Sequence, residues 1–296
     1  MPPGILRRSR GEVPQTLVLT AADEAALRRA QLELLAEFDR VCAAHDLEYF
    51  ALYGTALGAI RHGGFIPWDD DLDVGMLRSS FDRLTQVIDD GLGEGYFFQT
   101  VTSDPEYGCL FGKLRRNGTR CVDRISYGSR QHGGVFIDVF PLDAKATRRW
   151  ARFEQKAMRY VGFRLLYLKA GYHLPMRSGS VKARLAQFVV RGIVRVIPRR
   201  VIIALTMRHT RLARTDSPEQ YVSLFGAYLY DRDTVDASWI QPLVHVPFED
   251  TTIPVFADSE AYLTQIYGDY RQPPPLDQQI GHHELVELDL GDAARA

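Results

Sequence analysis

Residues 54–75 read Gly54-Thr55-Ala56-Leu57-Gly58-Ala59-Ile60-Arg61-His62-Gly63-Gly64-Phe65-Ile66-Pro67-Trp68-Asp69-Asp70-Asp71-Leu72-Asp73-Val74-Gly75, and four of the last seven are carboxylates. Like charges repel by about 1 kcal/mol per pair at 4 Å in water and more when partly desolvated, so this crowding calls for a compensating partner. If Leu72 and Val74 point into a core as strand residues, the two-residue period puts Asp69, Asp71 and Asp73 together on the opposite face. Same-face neighbours there lie roughly 6.6 Å apart, close enough for two carboxylates to lean around one small hard cation with oxygens at about 2.1 Å. A solvated acidic loop is the competing reading. The flanks oppose it, because Phe65, Ile66, Pro67 and Trp68 before the run and an apolar alternation after it suit a carboxylate set presented from a sheet edge.

The punctuation around this stretch predicts a mixed α/β layout. Residues 21–45 carry a capping-box start at Thr20 and Asp23, with Leu27, Leu34, Phe38 and Val41 at helical spacing. Strands are expected at Glu48–Leu52, Asp71–Met76, Phe97–Val101 and Gly134–Phe140, a short helix after the turn at Gly54, and a helix over Ser79–Asp90. Phe111–Val122 reads as a hairpin turning at Asn117-Gly118. In that register Arg115 faces Arg120 with Lys113 on the same side, an arrangement that either stays solvated or holds an anion. In the strand Gly134–Phe140, Asp138 falls between Phe136 and Phe140. A carboxylate there costs several kcal/mol to desolvate unless it is paired or metal-bound, which makes it the third member of the Asp71 and Asp73 set. Asp143, after Pro-Leu at the strand exit, suits a turn or cap as well as a site.

The segment from Tyr49 to Gly75 resembles the LicD family of phosphotransferases, which includes phosphorylcholine transferases and is related to fukutin-related protein. Two further stretches carry the likeness in the same order. One is Gly134-Val135-Phe136-Ile137-Asp138-Val139-Phe140-Pro141-Leu142-Asp143; the other runs from Tyr262-Leu263 through Tyr267-Gly268-Asp269-Tyr270 to Pro273-Pro274-Pro275. The resemblance implies a nucleotidyltransferase-like mixed sheet flanked by helices and transfer of a phospho-alcohol from a cytidine diphosphate (CDP) alcohol donor to a hydroxyl of a glycan or its lipid-linked precursor. It implies Asp71, Asp73 and Asp138 as catalytic residues holding Mg2+ or Mn2+. Gly54 and Thr55 then approach the donor phosphates, Lys113 and Arg115 contact the diphosphate, and Arg61 and His62 lie on the same approach. His282 and His283 follow the proline run as in the family, but Gln279 stands where an arginine is expected. Trp68, Tyr53 and Phe65 are the aromatics near the motif that a choline cage would draw on. Nucleotide transfer, or a non-catalytic adaptor on a membrane surface, are the alternatives.

Of the chain's 296 residues, 36 are Lys or Arg and 37 Asp or Glu, a net charge of −1 that hides a strong segregation. Lys145 to Thr215 holds 18 basic residues against Glu154 alone, leaving 18 basic and 36 acidic residues elsewhere. Within that segment Val181 to Pro198 reads as a basic amphipathic helix, with Arg184, Arg191 and Arg195 on one side and Leu185, Val189, Ile193 and Val196 on the other. It is a surface helix, an acceptor-binding helix or one lying on an anionic membrane. No nucleic-acid-binding motif is present, and the acidic remainder argues against that partner. The expected organisation is a tail to residue 20, a catalytic core over 21–145, a basic helical insertion over 146–216, completion of the core over 217–285 and an acidic, peripheral tail over 286–296. Cys42, Cys109 and Cys121 have neither disulfide nor zinc spacing. With no stretch of signal-peptide or membrane-span length, a cytoplasmic protein is expected, peripheral at the inner membrane face if the insertion binds lipid.

Overall fold

The computed structural model describes residues 13–173, 192–210, 217–226, 228–279, 281 and 283–291. Helix α1 (Ala21–Ala44) begins at a reciprocal capping box: the Asp23 N–H donates to Thr20 Oγ1 at 3.2 Å and the Thr20 N–H to Asp23 Oδ2 at 3.0 Å. Such a cap contributes about 1 kcal/mol. Leu27, Leu34, Phe38 and Val41 are buried along one side of the helix, each contributing roughly 1.5–3 kcal/mol.

Strands β1 (Phe50–Ala51), β2 (Asp73–Leu77), β3 (Tyr96–Gln99), β4 (Gly112–Arg116) and β6 (Phe136–Ala144) line up in the order β1-β2-β6-β4-β3. Strands β7 (Gln220–Ser223) and β8 (Thr234–Asp236) extend this mixed sheet from the last residues of β6. β2 and β6 run parallel, and the other pairs are antiparallel. The parallel pair needs a long crossover; it contains α3 (Arg78–Gly91), β3, β4 and β5 (Arg120–Asp123). Helices α1 and α3 pack on the sheet face to which alternation assigns Val74, Met76, Leu114, Ile137 and Val139, all buried. The opposite face carries Asp73, Asp138 and Lys113 side by side.

Helix α2 (Tyr53–His62) follows β1 directly, and its first residue has φ of 45°, in the left-handed region that non-glycine residues seldom adopt. The Tyr53 N–H donates to the hydroxyl of Tyr262 at 3.1 Å. After β6 come α4 (Arg149–Lys169) and α5 (Arg199–Thr210), which pack against each other. The remaining elements are α6 (Ala237–Ile240), the hairpin β9 (Val244–Phe248) and β10 (Thr251–Val255), α7 (Ser259–Tyr267) and β11 (Leu285–Asp289). No helix of the described residues is long and apolar enough to cross a membrane.

Three expectations need correction. The run Asp69 to Leu72 is not strand, because β2 starts at Asp73. In a strand continued backward, Asp70 would share the core-facing side of Leu72 and Val74, whereas the observed loop turns it toward His283. The hairpin over 111–122 does not form. Asn117-Gly118 is a turn, with Gly118 at φ of 72°, but both edges of β4 are already occupied by β3 and β6. β5 instead pairs with β11, so Arg115 does not face Arg120, and Arg120 pairs with Glu287 across that second sheet. The tail expected from residue 286 is therefore ordered as strand through Asp289. Of the basic amphipathic helix, residues 181–191 lie outside the described residues, taking Arg184 and Arg191 with them. Residues 192–196 are helical, and Arg195 is exposed.

Candidate active site

The site begins as a row across the sheet. Asp73 is the register partner of Asp138 on the parallel neighbour, Asp138 of Lys113 on β4, and Lys113 of Gln99 on β3. All four side chains are buried. Lys113 Nζ lies 2.5 Å from Asp138 Oδ1 and 3.5 Å from the centroid of the Phe136 ring, so its charge is held by a carboxylate and a π-face together. Arg115, two residues on, donates from Nε to Gln99 Oε1 at 2.8 Å and from Nη1 to the carbonyl of Gly134 at 2.7 Å. It therefore stiffens the end of the row from below. Burial and then the neighbouring carboxylates of Asp71, Asp138 and Asp69 hold the Asp73 carboxyl well above the usual carboxylate range. Asp138 is raised as well, chiefly by burial, with Lys113 opposing.

Gly54 and Thr55 set the entry to this row. Thr55 Oγ1 accepts the Asp73 N–H at 2.8 Å, fixing the first residue of β2. A Cβ on Gly54 would lie 2.3 Å from Asp69 Oδ2, so only glycine lets the carboxylate come this close.

Helix α1 ties down the loop that brings the other carboxylates in. Arg28 donates to the carbonyl of Pro67 at 2.7 Å, with longer bonds to Ile66 and Asp69, and Gln31 Nε2 donates to the carbonyl of Asp70 at 2.9 Å. Asp69 is buried, its Oδ1 has no hydrogen-bond partner, and its carboxyl is raised to about 8 by burial and by Asp71. His283 closes the other side. Its Nδ1 lies 3.2 Å from Asp70 Oδ1 and 3.6 Å from Asp71 Oδ2, and its ring stands edge-on to Phe136. Burial opposes protonation of His283, but the bond to Asp70 and the charge of Asp71 outweigh it and raise the imidazole to about 9.

Asp73 and Asp138 are neighbours across the sheet, and the charge of Asp71 bears on both, but the three do not form a close ligand cluster. Among the described residues, the ligand atoms that converge within 4.8 Å belong to Asp70, Asp71 and His283, so this group shares Asp71 with the expected set. The donor set fits a hard cation: carboxylates crowd the loop and β2, one of their buried oxygens is unpartnered, and Lys113 and His283 are the nearby positive groups named by these contacts. Arg61 and His62 stand apart. Arg61 Nε donates to His62 Nε2 at 2.9 Å and Nη1 to the carbonyl of Tyr270 at 2.8 Å, and both side chains face Trp68. Burial, then Arg61, lowers the His62 imidazole, consistent with its role as the acceptor.

A cavity of about 320 Å³ opens beside the acidic loop, bordered by Trp68, Arg28, Glu24, Asp70, Gln279 and His283 among others. Of the three aromatics near the motif, Trp68 borders it. Tyr53 packs on Phe140 and Tyr228, and Phe65 on Phe248. Asp143 has a structural part, forming bonds of 2.7 and 2.8 Å with the guanidinium of Arg78.

Residues 46–177 match the LicD/FKTN/FKRP nucleotidyltransferase domain, a span that contains the whole acidic loop, Lys113 and Asp138. Beyond that domain, the chain is 24% identical over 263 residues to the lipopolysaccharide cholinephosphotransferase LicD of Haemophilus influenzae, covering 85% of this chain and 92% of that protein. Residues 46–177 thus carry a LicD-type domain, and the likeness to the Haemophilus protein runs over most of both chains. The chain is also 33% identical over 119 residues to an uncharacterized protein of Rickettsia typhi, covering 38% of this chain and 33% of that one. Arg28 and Gln31 lie before the matched LicD domain and His283 after it, and the sequence alone points to a role for none of the three. The signals were present but mute: two polar residues bordering the apolar stripe of α1, and one member of a histidine pair.

Proposed function

We propose that this chain transfers phosphocholine from CDP-choline to a hydroxyl of a cell-surface glycan or its lipid-linked precursor. The observation that carries the reading is the continuous buried row Asp73–Asp138–Lys113 joined to the acidic loop. The Haemophilus relative, matched over most of both chains, supports the choice of phosphocholine. Asp71, Asp73 and Asp138 would hold magnesium, or manganese in its place, which when bound would supply a Lewis acid for the donor diphosphate.

The chain's own residues do the rest. Lys113, buried against Asp138, offers its ammonium to the diphosphate, and Arg115 keeps that strand rigid while adding positive potential. Gly54 and Thr55 bring the backbone of α2 up to the phosphates, and Arg61 with His62, at the other end of that helix, faces Trp68 on the cavity wall. Asp138, on the strand beside Asp73, orients the acceptor hydroxyl and takes its proton. The acceptor oxygen forms a bond to the β-phosphorus, the bond from that phosphorus to the bridging oxygen breaks, and cytidine monophosphate leaves. The cavity beside Trp68, with Glu24 on its wall and Asp70 paired to His283, offers a trimethylammonium group one aromatic face and one carboxylate.

Thermal-shift titration with CDP-choline, CDP-ethanolamine, CDP-glycerol and CDP-ribitol, each with and without Mg2+, tests this reading. The largest stabilisation is expected with CDP-choline, and only when Mg2+ is present. Equal shifts with all four donors, or shifts indifferent to Mg2+, would contradict it.

A further inference from the structure

Helix α4 has two unlike sides. Ala151, Gln155, Gly162 and Leu166 are buried, and Gly162 lets α5 come close, since a Cβ there would meet Thr206 Oγ1 at 2.5 Å. On the other side Trp150, Phe153 and Tyr160 are 55%, 72% and 61% exposed. Their spacing, with Ala157, Val161 and Arg164, places them within an arc of about 100° on the helix. Three large aromatics and a valine in one exposed stripe are more than scattered surface residues account for. The stripe is framed by cations: Arg148 and Arg149 are exposed at its start, and the Arg164 guanidinium lies 3.5 Å from the Tyr160 ring centroid near its end. Packed against α4, α5 leaves Val201 and Leu205 exposed one turn apart, with exposed Arg208 following, and the helical residues 192–196 expose Ile193 and Val196.

We infer that the outward face of α4, with α5 beside it, lies on an anionic phospholipid bilayer surface. Aromatic rings with apolar bodies and polar tips, aliphatic side chains at helical spacing and flanking arginines are the combination that seats a helix in the headgroup region. Charge selects among the occupants. A second copy of the chain would bring two segments together that each carry 18 basic residues against one acidic residue, which repel. A nucleic acid would answer the arginines but leave the exposed Val161, Val201 and Leu205 without a partner. An anionic bilayer satisfies both.

The test is co-sedimentation of the full chain with vesicles of phosphatidylcholine alone or of equal parts phosphatidylcholine and phosphatidylglycerol. Wild type is expected to bind the anionic vesicles, less so as salt rises. Trp150→Ser, Phe153→Ser and Tyr160→Ser combined should weaken that binding at least about tenfold. The circular dichroism and melting temperature of the exposed-site variant should stay unchanged. Tryptophan emission should shift to the blue on anionic vesicles in wild type and much less in Trp150→Phe. Absence of wild-type binding, equal binding by the triple variant, a wild-type dimer that the triple variant dissolves, or full displacement from vesicles by a short RNA with tighter RNA binding would each overturn the inference.

Discussion

The acidic site and the α4–α5 pair hold charge in opposite ways. In the first, Asp69, Asp73, Asp138 and Lys113 are buried, each fixed by a second element: α1 through Arg28 and Gln31, α2 through Thr55, β4 through Lys113. In the second, the outward charges stand at the surface, as in the pair Lys156–Asp231 at 2.6 Å, whose side chains are 41% and 68% exposed, while Arg159 on the inner side of α4 pairs with buried Asp233. Buried charge held by several elements is costly to keep, and it serves either a structural pair, as Arg78–Asp143 does, or a group held in place for chemistry. Exposed charge costs little, selects partners and adds little to stability. The same residue types therefore predict different consequences in the two regions.

The largest expected effect is Asp73→Asn. It should reduce turnover by about 10³ to 10⁴, corresponding to a loss of several kcal/mol of metal-dependent stabilisation. The melting temperature of the metal-free protein should hold or rise, because one of several mutually repelling buried carboxylates has gone. A variant of wild-type turnover at saturating Mg2+ would remove Asp73 from the site.

Next comes Lys113→Met, which leaves Asp138 buried without its cation and should cost about 3 kcal/mol in urea unfolding. The double variant Lys113→Met/Asp138→Leu should recover much of that loss. If Lys113→Met alone unfolds at the wild-type urea concentration, the pair is not structural.

His132 gives a smaller effect of defined sign. It accepts the Gly134 N–H at Nδ1 and meets Asn117 Oδ1 at Nε2, which suits the neutral ring. Burial, and then Arg115, lowers it from 6.5 to about 4. A folded-state value below the unfolded one contributes stability that is fully present above pH 6.5 and is lost as pH falls toward 4. With the partial exposure of the ring allowed for, the loss should be about 1–2 kcal/mol. His132→Gln should show a shallower decline in melting temperature over that window; parallel curves would remove this assignment.

The smallest effect belongs to the basic region. Lys156→Met breaks an exposed pair and should change stability by no more than about 0.5 kcal/mol. A change comparable to that of Lys113→Met would erase the contrast between the two regions.

What the sequence made legible follows the range of the interactions involved. Helix α1 rests on a local cap and a local stripe, and the positions of Asp73 and Asp138 on strands rest on local alternation, so each could be read in place. Their adjacency could not be read that way, since it depends on β2 lying parallel beside β6, 65 positions later in register. The turn at Asn117-Gly118 was a correct local signal that misled about pairing, because occupation of both β4 edges is a property of the whole sheet. Arg28 and Gln31 escaped notice because their partners are carbonyls about 40 residues away. His283 needed β11 to bring it beside Asp70, and the stretch before β11 carried no periodic signal of its own.

The account rests on phosphocholine moving as a unit from the donor to a glycan. The direct measurement uses CDP-choline labelled separately in the cytidine and in the choline, incubated with the protein, Mg2+ and lipopolysaccharide lacking phosphocholine. The account predicts choline label on the glycan, cytidine label released as cytidine monophosphate, and neither outcome with Asp73→Asn. Cytidine label on the acceptor, or release of both labels without any on the glycan, would contradict it.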